Sequence, residues 1–173
     1  MDKKLYLVAE LDNNSQEQFR NLDTIIRQKG ITGSQTKDIP YHITLAEFSI
    51  DKEAYLLGLL DTIKEEFFEI NISYSSLGLF GLKVLFANPD MNMGLIKLYD
   101  FVKEHSLNKN SDLSAHTTLL IDEPENIIKI LPELSKAFTK ITGKLTNVSL
   151  YEFFPERFIK RITLSRDSRF CAQ

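Results

Sequence analysis

The same four-residue pattern, His-x-Thr-Leu, occurs twice in the sequence, at residues 42–45 as "HITL" and at residues 116–119 as "HTTL". The chain has three histidines, and two of them begin a copy of this pattern. Each copy lies in a short apolar run that reads as a strand, "PYHITLAEF" and "SAHTTLLID". Because residues i and i+2 of a strand project from the same face, each copy should present a histidine and a threonine side by side.

The segments around the two copies follow the same order of predicted elements: strand, helix, strand, helix and strand. An apolar helical pattern that begins at Phe19 recurs from Leu95, at an offset of 76 residues. His42 and His116 are separated by an offset of 74, and the difference of two residues falls in the loops before them, where deletions are tolerated best. The sequence therefore predicts an α+β fold in which a β-α-β-α-β unit occurs twice.

We expect the two units to pack about a pseudo-twofold axis, which would place equivalent residues opposite one another. The prediction is a single bilobal domain over residues 1–173, with lobes of approximately 1–80 and 81–173. A Gly-rich turn, "LGLFGLK" at residues 77–83, joins the lobes, and a final strand, "RFIKRITLS", has no counterpart in the first unit.

Two local features follow from the chemistry of helix ends and of proline. Asn13, Asn14 or Ser15 can cap the first helix through a side-chain oxygen. Pro132 lies inside the last predicted helix, "PENIIKILPELSKAF", and is expected to kink or split it because proline has no backbone N–H to donate.

A twofold arrangement would bring two imidazoles, His42 and His116, and two hydroxyls, Thr44 and Thr118, to one cleft. Imidazole titrates near neutral pH, so one histidine can act as a general base and the other as a general acid in the same turnover. Threonine hydroxyls can hold the non-bridging oxygens of a phosphodiester, and an imidazolium beside the phosphate stabilises charge in the transition state. This chemistry requires no metal, and we expect no cofactor.

The alternative to a functional site is that the polar residues are structural, which is the more common situation for a single His-x-Thr in a strand. The doubled pattern favours function, since neighbouring residues have diverged, as in Ala46 against Leu120. The polar pair also costs free energy on a buried strand unless it is satisfied. We assign no catalytic role to the third histidine, His105, because it ends a predicted helix in "KEHSL", where a cation suits the helix dipole.

Composition narrows the class of protein. A net charge of −3 argues against non-specific coating of nucleic acid, which depends on neutralising many phosphates. The single cysteine, Cys171, excludes a disulfide within the chain and a thiolate metal cluster, and we expect it to be no nucleophile. The apolar run at the N-terminus is shorter than a signal-peptide core, and no window is long enough for a membrane span. We therefore expect a cytoplasmic protein that acts as a monomer.

The sequence resembles the two-histidine (2H) phosphoesterase superfamily, which includes bacterial 2′-5′ RNA ligase-like proteins and cyclic nucleotide phosphodiesterases. The resemblance covers nearly the whole chain and rests on "HITL", "HTTL", their spacing and the repeated order of elements. The segment "LKVLFANPDMNMGLIKLYDFV" also looks like the part of the family that precedes the second motif. The resemblance implies two antiparallel sheets lining a central cleft, with helices outside.

The resemblance further implies metal-independent phosphodiester hydrolysis on RNA ends or small nucleotides, most often the opening of a 2′,3′-cyclic phosphate to a 2′-phosphomonoester. Some relatives join or cleave 2′-5′ linkages. By position, His42 and His116 match the catalytic histidines, and Thr44 and Thr118 match the phosphate-binding hydroxyls. The resemblance suggests His116 as the base and His42 as the acid, an assignment that the sequence does not fix.

Weaker candidates for substrate contacts lie outside the two motifs. Arg157 and Arg161, in "ERFIKRITLSRDSRF", would give a positive rim, although a solvated terminal strand explains them equally. Tyr41, Phe80 and Tyr151 would stack on a base, although core or edge packing is the common role of such rings. Two other functions remain open at this stage: a nucleotide- or RNA-binding module of the same fold without turnover, and a structural or interaction domain.

Overall fold

The computed structural model describes residues 3–36, 38–106 and 114–166, so Cys171 lies outside the described residues. Within them the chain forms four α-helices and seven β-strands. In chain order they are β1 (Lys4–Leu11), α1 (Asn13–Gln28), β2 (His42–Ser49), α2 (Glu53–Glu66), β3 (Ile70–Phe80), β4 (Val84–Pro89), α3 (Met93–Lys103), β5 (Thr117–Ile121), α4 (Pro124–Ala137), β6 (Ile141–Phe153) and β7 (Arg157–Thr163). No helix in these ranges is long and apolar enough to cross a membrane.

The strands form one antiparallel sheet in the order β2-β1-β6-β3-β4-β5, and β7 pairs with β6 beside this path. The α+β class is therefore confirmed. The expectation of two separate sheets is corrected, because β6 is 13 residues long and pairs with β1 along its C-terminal part and with β3 along its N-terminal part. One strand thus joins what would otherwise be two sheets.

The strand order is symmetric. β3 and β6 lie at its centre. If β1, β2 and β3 are exchanged with β4, β5 and β6, the result is the same order read from the opposite edge of the sheet. The third strand of each predicted unit pairs with the first strand of the other unit, β3 with β4 and β6 with β1. Strands on the two sides of residue 80 are hydrogen-bonded to each other within one sheet. The lobe boundary at this residue therefore stays a prediction from the sequence repeat.

One face of the sheet carries the core. On β1, Leu5, Leu7 and Ala9 are completely buried on that face, while Tyr6 and Glu10 point to the other. Six of the eight helical positions that the repeat predicts are also buried, and they are Phe19, Leu22 and Ile26 of α1 and Leu95, Leu98 and Val102 of α3. The other two, Ile25 and Phe101, are partly buried against the core. The opposite face of the sheet, which carries Tyr6 and Glu10, is therefore available for a functional site.

Two helix details differ from the expectations. The residue that caps α1 is Asp12, whose carboxylate accepts a hydrogen bond from the Ser15 backbone N–H at 2.7 Å, rather than one of the three residues that follow it. Pro132 does not split α4, which is continuous, and the alternative of a kink stays a prediction. Ile128, whose carbonyl cannot receive a bond from Pro132, is 56% exposed, so water can satisfy that carbonyl.

The two edges of the sheet, β2 and β5, come into contact. The Thr117 hydroxyl at the start of β5 donates to the backbone carbonyl of His42 on β2, at 3.1 Å. The outer side of β5 is occupied by the loop before β2, in which the Ser34 N–H donates to the Ile121 carbonyl at 2.7 Å and Gln35 bonds the same strand. The sheet therefore curves until the two histidine motifs meet.

Candidate active site

His42 is held by the backbone that precedes it. Its Nδ1 lies 2.7 Å from the carbonyl oxygen of Pro40. A carbonyl can only accept, so Nδ1 carries the hydrogen, and in the neutral ring Nε2 keeps a free lone pair. The backbone of the adjacent Tyr41 is fixed in turn by Gln16 of α1, whose side chain bonds the Tyr41 carbonyl at 2.8 Å and its N–H at 2.9 Å.

His116 is held in the same way. Its Nδ1 lies 2.7 Å from the carbonyl oxygen of Ser114, again two residues earlier in the chain. Within residues 3–36, 38–106 and 114–166, no group hydrogen-bonds Nε2 of either His42 or His116. Both rings therefore share one tautomer and one anchoring pattern, and each leaves Nε2 available to a ligand.

A buried hydrogen-bond chain sets the spacing of the two motifs. Tyr74 of β3 is completely buried, and its hydroxyl lies 2.8 Å from Thr117 Oγ1. Since the Thr117 hydrogen is donated to the His42 carbonyl, Thr117 accepts from Tyr74. Thr117, the residue between His116 and Thr118, thus connects the two motif strands.

The surroundings of His42 favour its neutral form. Burial lowers the pKa of His42 below its ordinary value of 6.5, and the nearby ring of His116 lowers this pKa further. The hydrogen bond to Pro40 and the charge of Glu10 oppose these effects without reversing them.

Both motif threonines line one cavity with His42. The cavity has a volume of about 930 Å³, and Thr44 and Thr118 contribute to its wall. Thr44 is exposed and Thr118 is half-buried, so both hydroxyls are accessible to a ligand. The cavity therefore brings together three of the four residues that the sequence singled out, whereas His116, two residues before Thr118 on the same strand edge, is not part of its lining.

Two phenylalanines contact the ring of His116. Phe80 meets it edge to face with centroids 4.8 Å apart, and Phe86 lies at 5.3 Å. A Cβ on Gly78 would lie 2.5 Å from the Phe86 ring, so the absence of a side chain at Gly78 lets that ring lie against β3. Phe80, expected to stack on a base, is 41% exposed but already packs against His116.

Glu10 is a buried carboxylate that the sequence reasoning missed. It is 2% exposed and lies directly opposite His42 in the β1–β2 pairing, so both side chains share one face. Arg161 Nε lies 2.8 Å from Glu10 Oε2, and the Tyr151 hydroxyl donates to Oε1 at 3.3 Å. An acidic residue within the apolar run "LYLVAEL" was the available signal.

These contacts change the roles expected for three of the weaker candidates. Tyr151 is only 4% exposed and its hydroxyl is engaged, so its ring is not free to stack on a base. Arg161 neutralises Glu10 instead of standing free at a rim. Arg157 is paired with Glu53 at 2.5 Å and with Glu152 at 2.6 Å, and hydrogen bonds to these carboxylates raise the pKa of its guanidinium.

Tyr41 does line the cavity, but its ring is committed to the interior. It stacks on Phe19 of α1 with centroids 5.0 Å apart. Burial raises the pKa of Tyr41 to about 12, so its phenol stays neutral. In the described residues there is no cluster of three or more histidine, cysteine or acidic side chains placed to hold a metal ion.

The fold and this site define an α+β protein in which two edge strands, each with a His-x-Thr pair, meet at one cavity. The same fold occurs in Escherichia coli LigT, whose apo crystal structure matches with a TM-score of 0.62 and 20% sequence identity. The match covers 96% of this chain and 100% of LigT. LigT has also been crystallised with NADP+, with phosphate, with 3′-AMP and with ATP.

A second structural relative is the Thermus thermophilus protein TT0787, which matches with a TM-score of 0.65 over 95% of this chain and 99% of that protein, at 11% identity. A crystal structure described as a phosphoesterase matches with a TM-score of 0.60 and 19% identity. No family model matches the sequence, and no curated protein matches it either. At these identities the comparisons establish the fold.

Proposed function

We propose that this protein is a metal-independent phosphodiesterase of the 2H type that hydrolyses 2′,3′-cyclic phosphate RNA ends or small cyclic or 2′-5′-linked nucleotides. The observation that supports this most directly is the matched anchoring of His42 and His116. Each donates Nδ1–H to a carbonyl two residues earlier and leaves Nε2 free, on strands joined by the Thr117 hydrogen bond. Two imidazoles with Nε2 free, when both reach the same bound phosphate, supply a general base and a general acid.

His42 suits the role of the base. Its lowered pKa keeps it neutral at neutral pH, so Nε2 can accept the proton of an attacking water. His116, in its protonated form, then donates a proton from Nε2 to the departing ribose oxygen. Water adds to phosphorus, the bond from phosphorus to the ribose oxygen breaks, and the two proton transfers balance. This assignment is the reverse of the one that the resemblance suggested.

Thr44 and Thr118 are proposed to bind the phosphate. Both residues line the cavity with His42, and their hydroxyls can donate to the two non-bridging oxygens. Such donors hold phosphorus in line between the attacking water and the leaving oxygen. Hydroxyl donors aimed at the oxygens that gain charge also stabilise the transition state.

The nucleotide class of substrate is supported by the cavity and by the relatives. A volume of about 930 Å³ is much larger than a phosphate group occupies and falls in the range of small-molecule sites. LigT, which shares the fold, has been crystallised with 3′-AMP, ATP and NADP+. The net charge of −3 is consistent with short substrates or RNA ends rather than long RNA. We propose action as a monomer and in the cytoplasm.

The deciding experiment is an assay of nucleoside 2′,3′-cyclic, 3′,5′-cyclic and 2′-5′-linked nucleotides in buffer with excess EDTA. We expect hydrolysis of the 2′,3′-cyclic substrates in EDTA and its loss in His42→Ala and His116→Ala. His105→Gln is the matched control, because this third histidine is bonded to Tyr55 on the surface instead. Loss of wild-type activity on chelation would contradict the metal-free scheme.

The second candidate is a nucleotide- or RNA-binding module of the same fold that does not turn over its ligand. It is compatible with the same cavity and the same threonines, since these bind phosphate in either case. It predicts saturable binding of nucleotides with no product from any substrate of the panel, whereas the enzyme yields a phosphomonoester.

A further inference from the structure

One wall of the cavity is aromatic and lies outside the histidine motifs. It is formed by Tyr6 of β1, Phe153 at the end of β6, and Phe154 in the turn before β7, here called the aromatic wall. The Tyr6 and Phe153 rings meet edge to face with centroids 5.2 Å apart, and the Phe153 and Phe154 rings are 5.4 Å apart. Phe154 is 55% exposed, so the face of its ring can be reached by a ligand in the cavity.

The aromatic wall is continuous with the proposed phosphate site. Val8 of β1 pairs with Thr44 of β2, and Tyr6 lies two residues from Val8 on the same face. Two residues of strand span about 7 Å, so the ring of Tyr6 begins about that distance from Thr44. A ribose attached to the bound phosphate bridges such a gap and would carry its base to the wall.

The charges around the aromatic wall favour an uncharged ligand group. The Tyr6 hydroxyl donates to Glu47 Oε2 at 2.9 Å, and burial together with this carboxylate raises the pKa of Tyr6 to about 12. Lys4 is paired with Glu47, and Lys3 with Glu152. Since the cations beside the wall are matched by carboxylates, a flat neutral ring fits this surface better than a second phosphate.

We propose that the aromatic wall is a stacking subsite for the nucleobase attached to the phosphate held by the histidine motifs. This inference rests on the proposed function and makes it more specific. The ligand class is a mononucleotide or an unpaired RNA end, since a base within a duplex has no free face. Stacking tolerates every base, so the subsite adds affinity without strict sequence preference.

The test compares two equally exposed phenylalanines of the same hairpin. Phe154 lines the cavity, whereas Phe158, 54% exposed on β7, is not part of its lining. Calorimetric titration of wild type, Phe154→Ala and Phe158→Ala would use adenosine 2′-monophosphate and inorganic phosphate as probes. We expect Phe154→Ala to bind the nucleotide about 5- to 150-fold more weakly while its affinity for phosphate is unchanged, since base stacking contributes at this scale.

Phe158→Ala should bind both probes as wild type does, and Phe154→Trp should restore or strengthen nucleotide binding because it retains a stacking face. Equal nucleotide affinity in wild type and Phe154→Ala would contradict the stacking role of the aromatic wall, while the proposed function would be unaffected. Failure of wild type to bind inorganic phosphate as well as the nucleotide would overturn both. Thermal melts of each variant show that a loss of affinity is not a loss of fold.

Discussion

The Thr117 hydroxyl donates a hydrogen bond to the backbone carbonyl of His42, with 3.1 Å between the two oxygens. This contact joins the outermost strands of the sheet, and the buried Tyr74 hydroxyl in turn hydrogen-bonds Thr117 Oγ1. The separation of the two histidines therefore depends on a side chain that neither binds a ligand nor carries a proton in the proposed reaction.

Thr117→Val keeps the shape of the side chain and removes this bond. Because the buried Tyr74 hydroxyl would lose its partner, we expect the free energy of unfolding to fall by about 1–3 kcal/mol, with a lower kcat on 2′,3′-cyclic nucleotides. Urea denaturation and steady-state kinetics measure the two effects. Thr117→Ser retains the hydroxyl and serves as the control. An unchanged kcat in Thr117→Val would show that the bond does not position the motifs.

The roles of the two histidines can be separated with a substrate that has a good leaving group. His42→Ala and His116→Ala should each slow hydrolysis of a 2′,3′-cyclic nucleotide by about 10²- to 10⁴-fold. A nitrophenyl phosphodiester needs no proton on its departing oxygen, so only the variant that lacks the base should remain slow on it. We expect that variant to be His42→Ala. Recovery of His42→Ala instead would assign His116 as the base.

Glu10 should influence the pH dependence of catalysis. Its negative charge raises the pKa of His42, opposing burial and the ring of His116, while Arg161 and Tyr151 share the Glu10 carboxylate. Removing the charge in Glu10→Gln lowers the pKa of His42, so the acidic limb of the kcat/KM profile should move to lower pH. A shift toward higher pH would contradict the proposed placement of the charge.

The matched control for Glu10 is Glu152→Gln. Glu152 is also a buried carboxylate, 4% exposed, and is also paired with an arginine, Arg157. It is not among the groups that influence the pKa of His42. Its removal should therefore leave the position of the acidic limb unchanged while imposing a similar loss of an ion pair.

The lowered pKa of His42 also predicts how stability changes with pH. The unfolded chain binds a proton at His42 near pH 6.5, whereas the folded chain does so only at lower pH. The contribution of neutral His42 to the free energy of unfolding is therefore fully present above pH 6.5. It declines as pH falls toward the pKa of His42 in the folded state. In His42→Gln this contribution is absent, so the stability difference between wild type and variant should change between pH 7 and 5. A constant difference in urea titrations would contradict the lowered pKa.

Gly78 can be tested against a glycine that has free space. In Gly78→Ala the new Cβ would meet the Phe86 ring at 2.5 Å, which must displace the ring and disturb its contact with His116. We expect a loss of about 1–3 kcal/mol in stability together with reduced kcat. Gly58→Ala, in α2 with no atom within 4 Å of the new Cβ, should be as stable as wild type or more stable by about 0.5–1 kcal/mol.

Local patterns predicted much of this molecule. The alternation in "PYHITLAEF" identified β2 and the projection of His42 with Thr44, and helical spacing identified the buried faces of α1 and α3. These features depend on neighbours within a few residues, which the sequence displays directly.

The features that were missed depend on residues far apart in the chain. The pairing of β6 with both β1 and β3 could not be predicted from any local pattern. Because of this pairing the structure has one sheet where two were expected. Glu10 acquires its place beside His42 only through strand register, and the partners of Arg161 and Tyr151 follow from that. Aromatic rings such as Phe154 carry no sequence mark that separates a ligand contact from ordinary packing.

The crossed pairing of β3 with β4 and β6 with β1 has a consequence for any half-length version of the chain. A polypeptide with one unit alone would leave its third strand and its first strand each without the neighbour that the intact chain provides. Two such polypeptides could supply those neighbours to each other, with one histidine motif from each copy at a shared cavity. The two halves of this chain meet the same requirement as a tethered pair, so we expect a cut in the link between them to leave the site intact when both pieces are present.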